Sequence, residues 1–155
     1  MKKVLLPFTL LLLMVMASCR SGSDNNMLLS RTFTTSGWER FDFIKREVTL
    51  KQPASYNLTM EAVFAPSYPY DELTVVFSVI DADENPLRAK SYRFRLKDAE
   101  GQWKSDLKDG CYTFLLPINS DLTLDGPGTY LFQLESRMPI TPLEGIKKIS
   151  ILNKK

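Results

Sequence analysis

The chain has no histidine and only two cysteines among its 155 residues. Without an imidazole, Ser-His-Asp and Cys-His catalysis are excluded, and the commonest metal ligand is missing. Enzymes of the familiar kinds are therefore disfavoured from the outset. There is no apolar run long enough for a membrane span either: the longest, Val4 to Met16, is 13 residues, about 20 Å as a helix against a hydrocarbon core of about 30 Å. Nor is there a surplus of one charge, with 20 basic residues facing 18 acidic ones. What is present, 44% hydrophobic and 25% charged residues, suffices for one packed domain.

The first segment reads as an export signal. Lys2 and Lys3 form a charged start, Val4 to Met16 an apolar stretch, and Met16-Ala17-Ser18-Cys19 a peptidase site resembling the lipobox of bacterial lipoproteins. On this reading residues 1–18 are removed, Cys19 carries the lipid, palmitate among its acyl chains, and residues 19–30 form a tether ahead of a domain over 31–155. Met16 departs from the leucine more usual there. Cleavage takes two of the basic residues with it and leaves the mature chain formally neutral. Phosphate binding needs a sustained cationic excess, so nucleic acid is not expected as a partner. The local basic groups at Arg88-Ala89-Lys90 and Arg93-Phe94-Arg95 read as a solvated strand face. Acylation of Cys19 also leaves Cys111 alone, so stability must come from the core rather than from a disulfide, and Cys111 reads as a small buried thiol.

From about Arg31 onward, short segments alternate apolar and polar residues between turn formers, the pattern of an antiparallel all-β domain. Tyr56 to Phe64 puts Tyr56, Leu58, Met60, Ala62 and Phe64 on one face. Phe41 to Leu50 is a second strand, with a bulge or change of face expected at Lys45-Arg46-Glu47. Leu73 to Ile80 is nearly continuous in β-formers and suggests a central strand covered on both sides. Asp83-Glu84-Asn85-Pro86 turns it into a hairpin with Tyr92, Phe94 and Leu96. Tyr112 to Ile118, Gly128 to Glu135 and Ile146 to Leu152 complete the set, with Asn119 to Pro127 and the segment around Pro139 and Pro142 as loops. Seven or eight strands in this length imply an antiparallel β-sandwich, with jelly-roll-like connections as one possibility.

Few signals for chemistry remain. Asp81-Ala82-Asp83-Glu84-Asn85 imitates the start of a calcium loop, but Pro86 and Tyr92 stand where such a loop requires Gly and Glu, so a polar turn is expected and no metal is assigned. Asp98, Glu100, Asp106 and Asp109 offer carboxylates for glycoside hydrolysis whose separation the sequence does not give. No catalytic residue is assigned. The match of Asn57-Leu58-Thr59 to a glycosylation sequon is read as coincidence. Four aromatic residues stand out as a binding surface: Trp38, Tyr68, Tyr70 and Trp103, of which Tyr68-Pro69-Tyr70 lies between strands where proline stiffens the backbone. The alternative for these rings is that they cover the ends of the sandwich.

Several segments in order resemble the gliding motility lipoprotein GldH family of Bacteroidetes-type bacteria: Ser36-Gly37-Trp38-Glu39-Arg40-Phe41-Asp42, Tyr68-Pro69-Tyr70-Asp71-Glu72-Leu73, Leu96-Lys97-Asp98-Ala99-Glu100-Gly101-Gln102-Trp103, Gly128 to Glu135, and Leu143-Glu144-Gly145-Ile146. Ser105 to Gly110 departs from it, replacing a glycine-richer run. The resemblance implies an outer-membrane lipoprotein facing the periplasm, held in the membrane by its lipid and without other cofactors. Its implied partners are other envelope lipoproteins or gliding and secretion proteins. The expected function is accordingly non-enzymatic, with a carbohydrate-binding lipoprotein as the alternative and a carboxylate hydrolase third.

Overall fold

A computed structural model describes residues 26–34 and 36–154, with the backbone alone at Ser120. The signal segment and Cys19 lie outside the described residues. Nine strands are present and no helix among the described residues: β1 (Met27–Thr32), β2 (Ile44–Leu50), β3 (Ala54–Phe64), β4 (Glu72–Ile80), β5 (Pro86–Arg95), β6 (Leu107–Lys108), β7 (Cys111–Leu124), β8 (Gly128–Ser136) and β9 (Ile146–Asn153). They form a five-stranded sheet, β1-β9-β3-β7-β6, and a four-stranded sheet, β2-β8-β4-β5, antiparallel throughout.

The pairings nest. β4 and β5 form the innermost hairpin, and outside it β3 pairs with β7, β2 with β8 and β1 with β9. Apart from the two-residue β6, this is one long hairpin wrapped into two sheets, the jelly roll. The sheets face each other because alternation gives each an apolar side. Met60, Ala62 and Phe64 on β3, Leu73, Val75, Phe77 and Val79 on β4, and Phe132 and Leu134 on β8 are all fully buried. Each large side chain so placed contributes about 1.5–3 kcal/mol relative to exposure.

The reading of Tyr56 to Phe64 holds residue by residue, with all five marked side chains in the core. Elsewhere the structure departs from expectation for identifiable reasons. The domain begins at Met27 rather than Arg31, because Leu29 is buried and β1 pairs along β9. β2 begins at Ile44 and excludes Phe41 and Phe43. Lys45-Arg46-Glu47 keeps an unbroken register with β8, so there is no bulge. Arg46 shares a face with buried Ile44, and its guanidinium reaches across the open edge to the carbonyls of Met27 and Leu28 at 3.3 and 3.2 Å. β4 is interior in its sheet but buries one face only, Leu73 to Val79; the other face is half-buried. β7 runs on through the expected loop to Leu124, with register shifts opposite Leu58. Pro117 is tolerated inside it because, past Tyr112, β7 has no neighbour on its far side among the described residues. The two basic groups of β5 do not form one face: Arg93 pairs with Glu72 on the outer side, while Arg88 pairs with Asp121 of β7. Cationic side chains along this free edge discourage pairing with another chain.

Because every strand runs antiparallel to its neighbours, the connections sort to two ends. The proximal end holds the start of β1, the end of β9, and the segments 51–53, 81–85 and 125–127. The distal end holds 33–43, 65–71, 96–106 and 137–145. The eleven residues of β3 span the distance between them, roughly 35 Å.

Candidate functional site

All four aromatic residues singled out in the sequence lie at the distal end, on three of its connections. Two of them are not surface residues. Trp38 is 1% exposed. It forms a two-bond bridge with Leu143 (3.0 and 2.9 Å), and its indole Nε1 donates to the Asp42 carbonyl at 2.7 Å. Tyr68 is also 1% exposed. Its ring packs 4.7 Å from that of Phe64 and its hydroxyl donates to the Glu72 carbonyl at 2.8 Å. Burial, reinforced by Tyr70 and Glu72, pushes this phenol far above the ordinary tyrosine range. Both residues fasten loops to the sandwich end; neither ring is free to stack on a ligand.

Trp103 is half-buried and engaged by its own chain. Tyr112 stacks on it at 4.3 Å with planes 14° apart, and the Lys97 ammonium lies 4.9 Å over its ring. Lys97 is itself held, donating to the Tyr68 carbonyl at 3.3 Å and pairing with Asp71 at 3.6 Å. Tyr70 is half-buried, edge-on to Tyr68, and lines an open depression. That depression, about 410 Å³, is bounded by Tyr70, Asp71, Arg95, Lys97, Met138 and Pro139. A second of about 270 Å³ adjoins it through Met138 and Pro139 and reaches Arg40 and Phe41.

The loops around this groove are tied to one another. Arg40 donates its backbone N–H to Thr141 Oγ1 at 2.8 Å and its guanidinium to the Pro139 carbonyl at 2.9 Å. The N–H groups of Leu96 and Lys97 both donate to the Asp71 carbonyl. Ala65 N–H donates to the Gly145 carbonyl at 2.8 Å. Gly145 sits so close that a Cβ there would lie 2.7 Å from the Tyr68 Cα. Such cross-loop bonding makes the distal end a preorganised platform.

The most exposed large apolar residue described here is Phe41, at 69%, and it was read from the sequence as part of a strand. It stands in a turn at φ 64°, a conformation that bulky residues rarely adopt. Ile140, 50% exposed, lies in the facing loop. No sequence signal marked Phe41, since Phe41 and Phe43 complete an alternating pattern that turn geometry overrides.

The acidic motifs resolve into turns. The Asp81 carboxylate accepts from the N–H groups of Asp83 and Asn85 and from the Asn85 amide, and these bonds hold it below the usual carboxylate range. Asp98 repeats the arrangement, accepting from Glu100 and Gln102 N–H. In each five-residue turn the first N–H donates to the fifth carbonyl, and the fourth residue, Glu84 or Gly101, has a positive φ. Glu100, Asp106 and Asp109 are exposed. Among the described residues no group of three carboxylate or thiolate side chains converges as a metal site would. Cys111 is half-buried on the outer face of its sheet rather than in the core, and Ser105 to Gly110 builds the β6–β7 hairpin.

No helix among the described residues is long and apolar enough to cross a membrane. No curated protein matches the chain. Among solved structures, one similar in part is a family GH115 4-O-methyl-α-glucuronidase, BtGH115A, with specificity for decorated arabinogalactans. It is 9% identical at a TM-score of 0.37, and the match covers 83% of this chain but 17% of that one. The GldH lipoprotein family model matches residues 29–152, which spans the sandwich from β1 to β9. With nearly the whole sandwich matched, the chain belongs to the GldH lipoprotein family.

Proposed function

We propose that this protein is a non-enzymatic lipoprotein, anchored through Cys19 in the outer membrane and facing the periplasm, that takes part in gliding motility or an associated envelope or secretion assembly. The family match over nearly the whole sandwich carries this reading. The absence of histidine from the sequence and the use of Asp81 and Asp98 as turn formers support a binding role over a catalytic one. The carbohydrate-binding alternative relied on four presented rings. With Trp38 and Tyr68 buried and Trp103 covered by Tyr112, only Tyr70 is left to serve it.

Deletion of the gene in a gliding host is expected to abolish surface spreading or reduce protein secretion, restored by the wild-type chain and not by Cys19→Ala. Unchanged spreading and secretion would overturn the functional reading. An unaltered membrane fraction for Cys19→Ala, without incorporation of an alkynyl palmitate analogue into the wild type, would overturn the anchor.

A further inference from the structure

The sandwich is open along one side. β5 is the last strand of its sheet, and past Tyr112 the facing β7 has no neighbour on its far side among the described residues. Two polar groups look into the space between these edges. Tyr92 stands opposite fully buried Val75, and Asn119 opposite Leu58, which is 1% exposed, so both side chains lie on the inner faces of their sheets. Asn119 is itself only 6% exposed. Its Oδ1 accepts from the Asp121 N–H at 3.1 Å, which fixes the amide. Its Nδ2 and the Tyr92 hydroxyl are buried without a hydrogen-bond partner among the described residues. Burying such groups unpaired costs stability, so their presence calls for a reason beyond folding.

Both groups adjoin a depression. Arg88, opposite buried Val79, crosses the open side to the Asp121 carboxylate at 3.5 Å, longer than an ordinary charge-assisted hydrogen bond. The same two charges act on Tyr92: burial raises its phenol, Arg88 opposes the shift and Asp121 adds to it. Arg88 and Asp121 also line a depression of about 460 Å³ together with Leu87, Leu122, Asp125 and Tyr130, a size ordinary for a small-molecule site. Asp81 borders it too, its carboxylate taken up by its own turn. Chemistry narrows the ligand. Asn119 Nδ2 can only donate, so a cation leaves it unmet, whereas an anion would face Asp121 and Asp125. A neutral molecule with several hydroxyls meets both demands, accepting from Asn119 and Arg88 and donating to the carboxylates, with Tyr92 able to do either.

We propose that this lateral cleft between β5 and β7 binds a neutral saccharide, with Tyr92, Asn119 and Arg88 as its recognition groups and the long Arg88–Asp121 pair as the contact that the sugar displaces. The cleft lies apart from Trp38, Tyr68, Tyr70 and Trp103 at the distal end, and it does not depend on the lipid anchor. A peptide strand is a poorer occupant, since it would pair along the free edge of β7, where Pro117 offers no N–H.

The test uses the full-length protein purified in detergent. Neutral mono- and disaccharides of glucose, galactose, mannose and N-acetylglucosamine serve as probes, with glucosamine, glucuronate and trialanine as controls. Saturation-transfer NMR is expected to show at least one neutral sugar bound, and bound better than any control. Tyr92→Phe and Arg88→Gln should each weaken that sugar about fivefold or more, and Tyr70→Ala, in the distal groove, should leave it unchanged. Tyr92→Phe should also leave the melting temperature of the sugar-free protein unchanged or higher, because it removes an unpaired hydroxyl. No neutral sugar bound, preference for a control, loss of binding on Tyr70→Ala, or an affinity untouched by Tyr92→Phe or by Arg88→Gln would each overturn the site. So would a lowered melting temperature for Tyr92→Phe, which would assign the hydroxyl to an internal water rather than to a ligand.

Discussion

Replacing Gly145 by Ala adds one methyl group and should cost far more than its size suggests. The residue has φ 80°, and the new Cβ would meet the Tyr68 Cα at 2.7 Å and the Tyr68 N at 2.9 Å. Backbone atoms cannot swing aside as a side-chain tip can, so one of the two loops must move. The conformational part is about 1–2 kcal/mol for a left-handed alanine, offset by about 0.4–1 kcal/mol from the stiffer unfolded chain. Overpacking of a fixed core adds about 1–3 kcal/mol, for a total near 3 kcal/mol. Gly101 supplies the control: its φ is 78°, and nothing lies within 4 Å of an added Cβ. Gly101→Ala therefore carries the conformational part alone, about 1 kcal/mol. Urea denaturation of both variants, followed by tryptophan fluorescence, should give a midpoint loss about three times larger for Gly145→Ala. Equal losses would refute the argument that close backbone approach between the 65–71 and 137–145 segments holds the distal platform together.

Other outcomes follow from the same geometry. Glu84→Gly, which places glycine where the sister turn already has Gly101, should raise stability by about 0.5–1 kcal/mol; a loss in thermal denaturation would show that the Glu84 side chain has a role of its own. Trp38→Ala should cost about 3–5 kcal/mol, since the indole is buried and donates to Asp42; a surface role for Trp38 would instead leave the urea midpoint nearly unchanged. The raised Tyr68 phenol means that the unfolded chain ionises first, near pH 10, so stability is intact below that pH and falls as pH rises through and beyond it. Tyr68→Phe, compared across an alkaline series of melting curves, should flatten this decline; an identical slope would remove Tyr68 as its source. At the acid end, the Arg93 bond that holds Glu72 below the usual carboxylate range contributes stability above the unfolded Glu range, and this is lost as pH falls through the lowered folded value. Glu72→Gln should reduce that acid sensitivity, and an unchanged acid transition would show that the pair is inconsequential.

The sandwich was legible in the sequence wherever burial was strict on one face. Tyr56, Leu58, Met60, Ala62 and Phe64 alternate along β3 because it lies between β9 and β7, with its inner side wholly in the core. Legibility failed where pairing depends on distant partners. Met27 to Leu29 follows a polar stretch, and only β9, more than a hundred residues away, makes it a strand. Asn119 and Pro127 read as loop residues, yet β3 extends β7 past the first of them. For the candidate site, the four aromatic residues marked in the sequence all fall at one end of the molecule, but the sequence did not show which of them face water. Aromatic residues flanked by Gly and Pro signal a loop but not its burial, so a binding surface and a cover for the sandwich end stayed equally open for Trp38 and Tyr68, which are buried. Phe41 was hidden because alternation at Phe41 and Phe43 mimics a strand that begins only at Ile44.

The position of β1 bears on how the molecule would carry a pull. It is the outermost strand of its sheet, its only ladder is with β9, and it begins at the end from which the tether leaves. On the anchored reading proposed above, a force between the lipid at Cys19 and the opposite end would run along the strand axes. The β1–β9 hydrogen bonds lie across that direction, so they are loaded in shear and must fail together, whereas a pull across the sheet would peel them one at a time. On that reading, a wrapped hairpin whose first strand is held lengthwise would act as a tension link. The joint that would bear this load is the ladder from Met27 to Thr32, braced from the second sheet by the Arg46 guanidinium.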